Sequence, residues 1–228
     1  MRVAVLFSGG KDSCYAVWVL QHLGWEVARL VTVKPSASDS MMFHYPSQDW
    51  TGLQAQAMGI PHEMIEAGED ELNDLEKALV ATRREYGIVG LATGAIASDY
   101  QKSRFDRICD SAGLKSYSPL WHKNPRVVVN DLLQAGFRAI MTGAGAFGLD
   151  ESWLGRELTR AEWSRLSDLA VRHGIHLTGE GGEYETFVLD APHFKQEIVI
   201  GQSRRVWMGQ SGHLVIEKAS LRDKLGNR

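Results

Sequence analysis

Cysteine is almost missing from this chain of 228 residues, which holds only Cys14 and Cys109, far apart in sequence. No disulfide framework, Cys-x-x-Cys redox pair or cysteine zinc site can be assembled from two such residues, and both are expected to be small buried groups. The eight histidines show neither His-x-x-x-His nor Glu-x-x-His spacing, so a transition-metal site has no support either. Basic excess is lacking: 25 lysines and arginines stand against 28 aspartates and glutamates, a formal charge of −3. That balance argues against a general nucleic-acid binder, which needs a basic face to displace counterions from phosphates. No apolar run approaches the ~20 residues that span a bilayer, and Met1-Arg2-Val3 leads into a short strand rather than a charged-then-apolar leader. No membrane partner is expected, and the expected location is cytoplasmic. Internal repeats and low-complexity tracts are missing too.

What is present is ordinary globular material, 44% hydrophobic and 23% charged, enough for one large domain or two small ones. The apolar run Val3-Ala4-Val5-Leu6-Phe7 reads as a buried strand, followed by a helix from about residue 14 and a second strand over 26–33. A helix is expected over 49–58, with Asp49 as N-cap and Gly59 as the stop, then a third strand at 61–65. Leu72, Leu75, Leu79 and Val80 give 69–86 a helical spacing, Ile88-Val89-Gly90-Leu91-Ala92 reads as a fourth strand, and a helix follows over 101–112. Strands alternating with helices imply right-handed parallel crossovers and a doubly wound α/β sheet of Rossmann-like type, with its ligand site beyond the carboxyl ends of the strands. The remainder changes character: a strand at 137–142, a helix over 160–173 and a hairpin from 198, consistent with a smaller C-terminal α+β domain. The formal Gly-x-Gly-x-x-Gly match at 143–148 opens no long helix and has no ribose-binding acid at the right distance, so it reads as a flexible linker. The boundary is placed near residue 145.

Ser8-Gly9-Gly10-Lys11-Asp12-Ser13 joins the first strand to the first helix. Glycines let the backbone turn sharply and approach an anion, and the exposed amides of a helix N-terminus add the positive end of its dipole. A P-loop would need a glycine, four intervening residues and then Gly-Lys-Ser/Thr, but no glycine stands at that upstream distance and Asp12 follows the lysine here, so that reading fails. The motif resembles the pyrophosphate loop of the N-type ATP pyrophosphatases, whose fold is adenine nucleotide alpha-hydrolase-like. A glycine turn that binds nothing is the competing reading. The turn Gly94-Ala95-Ile96-Ala97-Ser98-Asp99-Tyr100-Gln101 follows the fourth strand and is expected on the same rim.

Gly179-Glu180-Gly181-Gly182-Glu183-Tyr184-Glu185-Thr186 places three carboxylates within six positions, at the mouth of the probable strand Phe187-Val188-Leu189. The pairing of the two motifs resembles the diphthine–ammonia ligases. Further similar segments run in the same order: Phe43-His44-Tyr45-Pro46, 53–61 beginning Leu53-Gln54-Ala55-Gln56, 94–101, Pro119-Leu120-Trp121 and 149–156. The resemblance implies a nucleotide-binding domain over 1–145 and a substrate-binding domain over 146–228. It implies ATP and Mg²⁺ as cofactors, and diphthine-modified translation elongation factor 2 and ammonium as partners. The expected reaction is amidation of the diphthine carboxylate through an acyl-adenylate, giving AMP and pyrophosphate, and the alternative is a related ATP pyrophosphatase that amidates or adenylates another substrate.

By the same resemblance the amides of Gly9, Gly10, Lys11 and Asp12 and the hydroxyls of Ser8 and Ser13 hold the leaving pyrophosphate. Lys11 neutralises it, and Asp12 positions Mg²⁺. Gly94, Ala95 and Ser98 are expected at the adenosine, with His44 at ribose or phosphate. Glu180, Glu183 and Glu185 are expected to serve the substrate and ammonia half, flanked by Tyr100, Gln101, Gly181, Gly182 and Thr186. Tyr184 and Trp153 offer aromatic faces to a trimethylammonium group. Transfer of sulfur to tRNA lacks the necessary cysteines and basic face, a non-catalytic nucleotide sensor does not account for the clustered acids, and a homo-oligomer stays open.

Overall fold

The computed structural model describes residues 1–36, 43 and 47–224. Its first half alternates strands and helices: β1 (Arg2–Leu6), α1 (Lys11–His22), β2 (Glu26–Lys34), α2 (Thr51–Met58), β3 (His62–Glu66), α3 (Glu71–Tyr86), β4 (Gly90–Ala92), α4 (Asp99–Ser111) and β5 (Lys115–Tyr117). The five strands form one sheet in the order β3-β2-β1-β4-β5, and every neighbouring pair is parallel. From β1 the chain steps outward to β3, then returns to β4 on the other side. The carboxyl ends of β1 and β4 therefore flank the point where strand order reverses, the crevice in which open α/β sheets bind ligands. Helices cover both faces: Val17 and Leu20 of α1 and Ala57 of α2 pack in one buried cluster, while Leu75 and Leu79 of α3 and Phe105 and Ile108 of α4 pack in the other. Cys14 and Cys109 are buried and free, as expected.

Local chemistry explains the helix ends. Asp70 caps α3 by accepting from Asn73 N, Ser98 caps α4 by accepting from Gln101 N, and Gly59 and Gly87 end α2 and α3 in the left-handed conformation. Asp49 does not cap α2. It lies in a 3₁₀ turn, Gln48–Trp50, where its carboxylate pairs with Lys34, and the capping position falls to Trp50 without a side-chain bond.

The second half holds α5 (Pro125–Ala135), β6 (Arg138–Ala144), α6 (Arg160–His173), β7 (Tyr184–Asp190), β8 (Gln196–Met208) and β9 (Ser211–Asp223). Its four strands form an antiparallel sheet in the order β7-β6-β9-β8. The strand placed by sequence in the first unit thus belongs to the second sheet, and the change of sheet falls between Tyr117 and Arg138, ahead of residue 145. All of β6 except Arg138 is buried, and such an apolar run reads the same in either kind of sheet. The glycine run after it is not a linker: Gly143 and Ala144 pair with β7 and β9, and Gly145 N donates to Glu183 O. Neither β5 nor α5 had been assigned from sequence. Val127-Val128-Val129 favours strand, but Asn124 as N-cap, Pro125 in the first turn and Gly136 at the C-terminus decide for a helix. A single buried cluster runs from Val3, Val5 and Leu20 to Phe187, Val188 and Leu214, so the second sheet shares its core with one face of the first.

Candidate functional site

A cavity of about 400 Å³ opens at the carboxyl ends of β1 and β4. Three segments line it: the loop after β1, the turn after β4 and residues 178–186 leading into β7. Leu6, Phe7, Val33, Phe43 and Phe105 give it an apolar wall, with Phe43 and Phe105 centroids 6.2 Å apart.

The loop after β1 is shaped by its own hydroxyls. Ser8 Oγ donates to Ser13 Oγ (3.2 Å), Ser13 Oγ to Gly10 O (3.0 Å) and Gly10 N to Ser8 Oγ (3.3 Å). Gly9 sits at φ +76°, a conformation that strains any residue with a Cβ. Gly10 offers no side chain to cap α1, and Thr186 Oγ1 of β7 accepts from Lys11 N instead (3.0 Å). At Gly94 a Cβ would lie 2.6 Å from the Asp12 carbonyl carbon, so glycine lets the turn after β4 rest directly on the first turn of α1.

Lys11 is buried rather than extended into open space. Its Nζ donates to Thr178 O and to Asp12 Oδ2 (2.7 Å), and lies 5.3 Å from the Tyr184 ring centroid. Asp12 Oδ1 is buried without a partner among the described residues. Burial raises the Asp12 carboxyl above its usual range, the attraction of Lys11 opposes this, and Glu180 adds to the rise.

The three glutamates separate. Glu180 Oε1 accepts from Ile96 N (2.8 Å) and its Oε2 from Ala97 N (3.2 Å), tying the acidic segment to the turn after β4. Glu183 does not line the cavity. Its Oε1 accepts from His176 N (2.6 Å) and its Oε2 from Gly181 N (2.8 Å), so it braces the turn from behind. Glu185 lines the cavity, and its carboxylate takes no hydrogen bond among the described residues. Burial pushes its carboxyl up to about 7; Lys11 opposes the shift, and Asp12 and Glu180 reinforce it.

The other expected residues fall as follows. Ser8, Gly10, Lys11, Asp12 and Ser13 line the cavity together with Gly94, Ala95, Ser98, Tyr100, Gln101, Gly181, Gly182, Tyr184 and Thr186. Gly9 faces the buried side chain of Gln54 instead. The Ser98 hydroxyl is engaged as the cap of α4 (3.4 Å), and the Tyr100 ring lies under the Arg104 guanidinium (3.4 Å). Tyr184 donates its hydroxyl to Leu177 O (2.5 Å), which leaves a buried ring at the site rather than a free phenol. Trp153 is not at the cavity: it is buried in the core, with Arg165 and Arg156 5.2 and 5.7 Å from its ring. An aromatic residue in a glycine-rich segment signals packing as readily as recognition. His44 lies outside the described residues.

Two contributors carried no site assignment from sequence. Thr178 acts through a main-chain carbonyl, which no residue pattern reveals. Gln54 is a fully buried polar side chain, and its only signal in the sequence is its place in the 53–61 segment of family resemblance, which assigns it no role. As for a metal, no group of three or more His, Cys, Asp or Glu side chains is placed to hold one among the described residues. A lone carboxylate with an unpartnered oxygen, beside a phosphate-type loop, suits Mg²⁺, which takes one or two carboxylates and fills its shell with water and phosphate oxygens.

The fold and cavity define an α/β protein with a glycine loop and helix N-terminus at the switch point of its parallel sheet. Residues 1–116 match the family model described as the diphthamide synthase N-terminal domain, and residues 124–221 that of the diphthamide synthase C-terminal domain. The chain therefore belongs to the diphthamide synthase family, a family of enzymes. The two matches meet in the passage from β5 to α5, where the sheets change. Over 228 aligned residues the chain is 34% identical to the diphthine–ammonia ligase of Mus musculus, covering 90% of this chain and 85% of the mouse protein. It is 34% identical to that of Danio rerio, covering 90% of this chain and 89% of the fish protein. Among solved structures, PH1313 from Pyrococcus horikoshii Ot3 is similar with a TM-score of 0.39 and 16% identity, over 59% of this chain and 41% of that one.

Proposed function

We propose that this chain amidates the carboxylate of diphthine on translation elongation factor 2, using ammonium as nitrogen source and ATP as activator, through an acyl-adenylate. The observation that carries the reading is the placement of Glu185, without a hydrogen bond to its carboxylate among the described residues, in the same cavity as the loop at 8–13.

A carboxylate does not react with ammonia at neutral pH, because hydroxide leaves poorly and most ammonia is ammonium. Activation requires a better leaving group. A diphthine carboxylate oxygen attacks the α-phosphorus of ATP, the bond from that phosphorus to the α,β-bridging oxygen breaks and pyrophosphate leaves; ammonia then attacks the acyl carbon, AMP leaves and a proton is released. Catalysis of such transfers is mostly positioning and stabilisation of spreading negative charge. The N-terminal end of α1 and the hydroxyls of Ser8 and Ser13 face the departing pyrophosphate, with the Lys11 N–H taken by Thr186, and Lys11 adds positive charge behind them. Asp12 would hold Mg²⁺, which when bound neutralises phosphate charge. Glu185 takes the proton released as the amine attacks, since a carboxyl near 7 is divided between its two forms at neutral pH. Glu180 keeps the segment that carries it closed against the turn after β4.

The test is incubation with ATP, Mg²⁺, ammonium and elongation factor 2 bearing diphthine, followed by mass measurement of the factor and separation of the nucleotides. The expected result is replacement of one hydroxyl oxygen by NH in the factor, with AMP and pyrophosphate in equal amounts and no ADP. Stoichiometric ADP and orthophosphate would sink the mechanism.

A further inference from the structure

The segment beginning Leu53-Gln54 has a family resemblance and no role in the chemistry above, yet Gln54 is fully buried directly behind the loop at 8–13. Its Nε2 donates both hydrogens, one to Gly9 O (2.9 Å) and one to Val188 O of β7 (2.8 Å). Val188 N donates to the same Gly9 carbonyl (3.1 Å). The orientation of the amide is dictated by these acceptors, because turning it over would set its oxygen against two carbonyls. The cost is visible: Gln54 Oε1 is buried with no partner among the described residues. An unpaired buried oxygen is destabilising, and a hydrocarbon side chain would fill the same space without it.

We infer that Gln54 is a positioning residue for the phosphate-binding half of the reaction, acting through the Gly9–Gly10 peptide. That peptide is planar and trans, so its carbonyl and its N–H point in opposite directions. With the Gly9 carbonyl held from behind by Gln54 and Val188, the Gly10 N–H points the other way, toward the Ser8 hydroxyl (3.3 Å) with which it lines the cavity. Gly10 lines the cavity and Gly9 does not. Without the Gln54 donors the Gly9 carbonyl keeps, among the described residues, only Val188 N and the longer Cys14 Sγ contact (3.8 Å), so a peptide between two glycines rotates more readily, and a rotated peptide would present a carbonyl oxygen to the anion. Gln54 thus sets the polarity of the loop without touching a ligand, and it does so as a bridge from α2 to β7.

The inference rests on the reading of the loop as the pyrophosphate holder, and the experiment separates the two. The full chain is titrated calorimetrically with Mg-ATP and, separately, with AMP, which shares the nucleoside and α-phosphate but lacks the pyrophosphate. Wild-type protein should prefer ATP; absence of that preference would sink the loop reading before any variant is made. Gln54→Met keeps length and bulk and removes both donors, and Gln54→Glu keeps the shape and puts an acceptor against the Gly9 carbonyl. Both variants should fold and lose roughly tenfold or more in affinity for ATP, with affinity for AMP unchanged. Equal weakening of both nucleotides, unchanged ATP affinity, or failure of both variants to fold would overturn the inference and make Gln54 a packing residue.

Discussion

The loop at 8–13 and the acidic segment at 176–186 face each other across one cavity, and they use their polar side chains in opposite ways. The hydroxyls of the loop bond mostly within six residues, which fixes its shape while the N-terminal end of α1 still lines the cavity. In the acidic segment the conspicuous side chains are turned inward on the backbone: Glu183 holds His176 N and Gly181 N, Glu180 holds Ile96 N and Ala97 N, and Glu185 alone is left uncommitted. Three glutamates of one motif therefore have three different surroundings. The contrast teaches that a carboxylate beside glycines is as apt to satisfy turn amides as to meet a substrate.

The largest effect should come from breaking the contact between the two walls. Lys11→Ala removes the charge expected at phosphate, and it also strands the Asp12 carboxylate and the Thr178 carbonyl in a buried place. Amidation should be abolished, and stability should fall by about 2–4 kcal/mol, the range for breaking a buried ion pair, with some relief because Asp12 is partly exposed. Urea denaturation beside the amidation assay checks both. That second loss is not foreseeable from residue pattern, since a loop lysine ordinarily contributes little to a core. Retained activity would break the comparison outright.

Glu185→Gln sharpens it. Amide formation should fall roughly a hundred-fold or more if Glu185 takes the proton, while ATP still binds and the fold is kept. The wild-type rate should rise with pH through about 7, and the variant should lack that limb. Stability should move the other way. A carboxyl raised from 4.5 to about 7 on folding keeps its proton in the native state after the unfolded chain has lost it, so stability declines from about pH 4.5 and levels off above pH 7. Thermal melts of the two proteins across that window would expose a wrong assignment if their pH dependence were the same.

Glu183→Gln should have the smallest effect. The amide keeps an oxygen for one of the two N–H groups, so the turn loosens without losing a reacting group; the cost should be about 1 kcal/mol, with a rate reduction well below that of Glu185→Gln. Parallel kinetics of the two variants decide the matter, and equal losses would return Glu183 to the chemistry.

Much of the first half was legible because its signals are short-range. Alternating apolar runs and helical spacings placed β1 to β4, α3 and α4 within a few residues, and the helix over 160–173 matches α6. Legibility fell where a local signal had two readings. Asp49 before a helix suggested a cap, but Lys34 claims its carboxylate; Trp153 suggested a cation-binding face, but the core claims its ring. The strand at 138–144 was visible as a strand, though not as a member of the second sheet.

By itself, then, the sequence determined the parallel α/β sheet, the glycine loop at its switch point and the presence of an acidic segment before a strand. These depend on residues a few positions apart, through backbone conformation, capping and periodicity. Only the tertiary structure decided that β7 caps the first helix, that Lys11 is anchored on Thr178, that Gln54 bridges the loop to Val188 and that Glu185 is the uncommitted acid. The partners in those contacts are 175, 167 and 134 residues apart, and a hydrogen-bond acceptor supplied by so distant a hydroxyl or carbonyl leaves no mark on the neighbouring sequence.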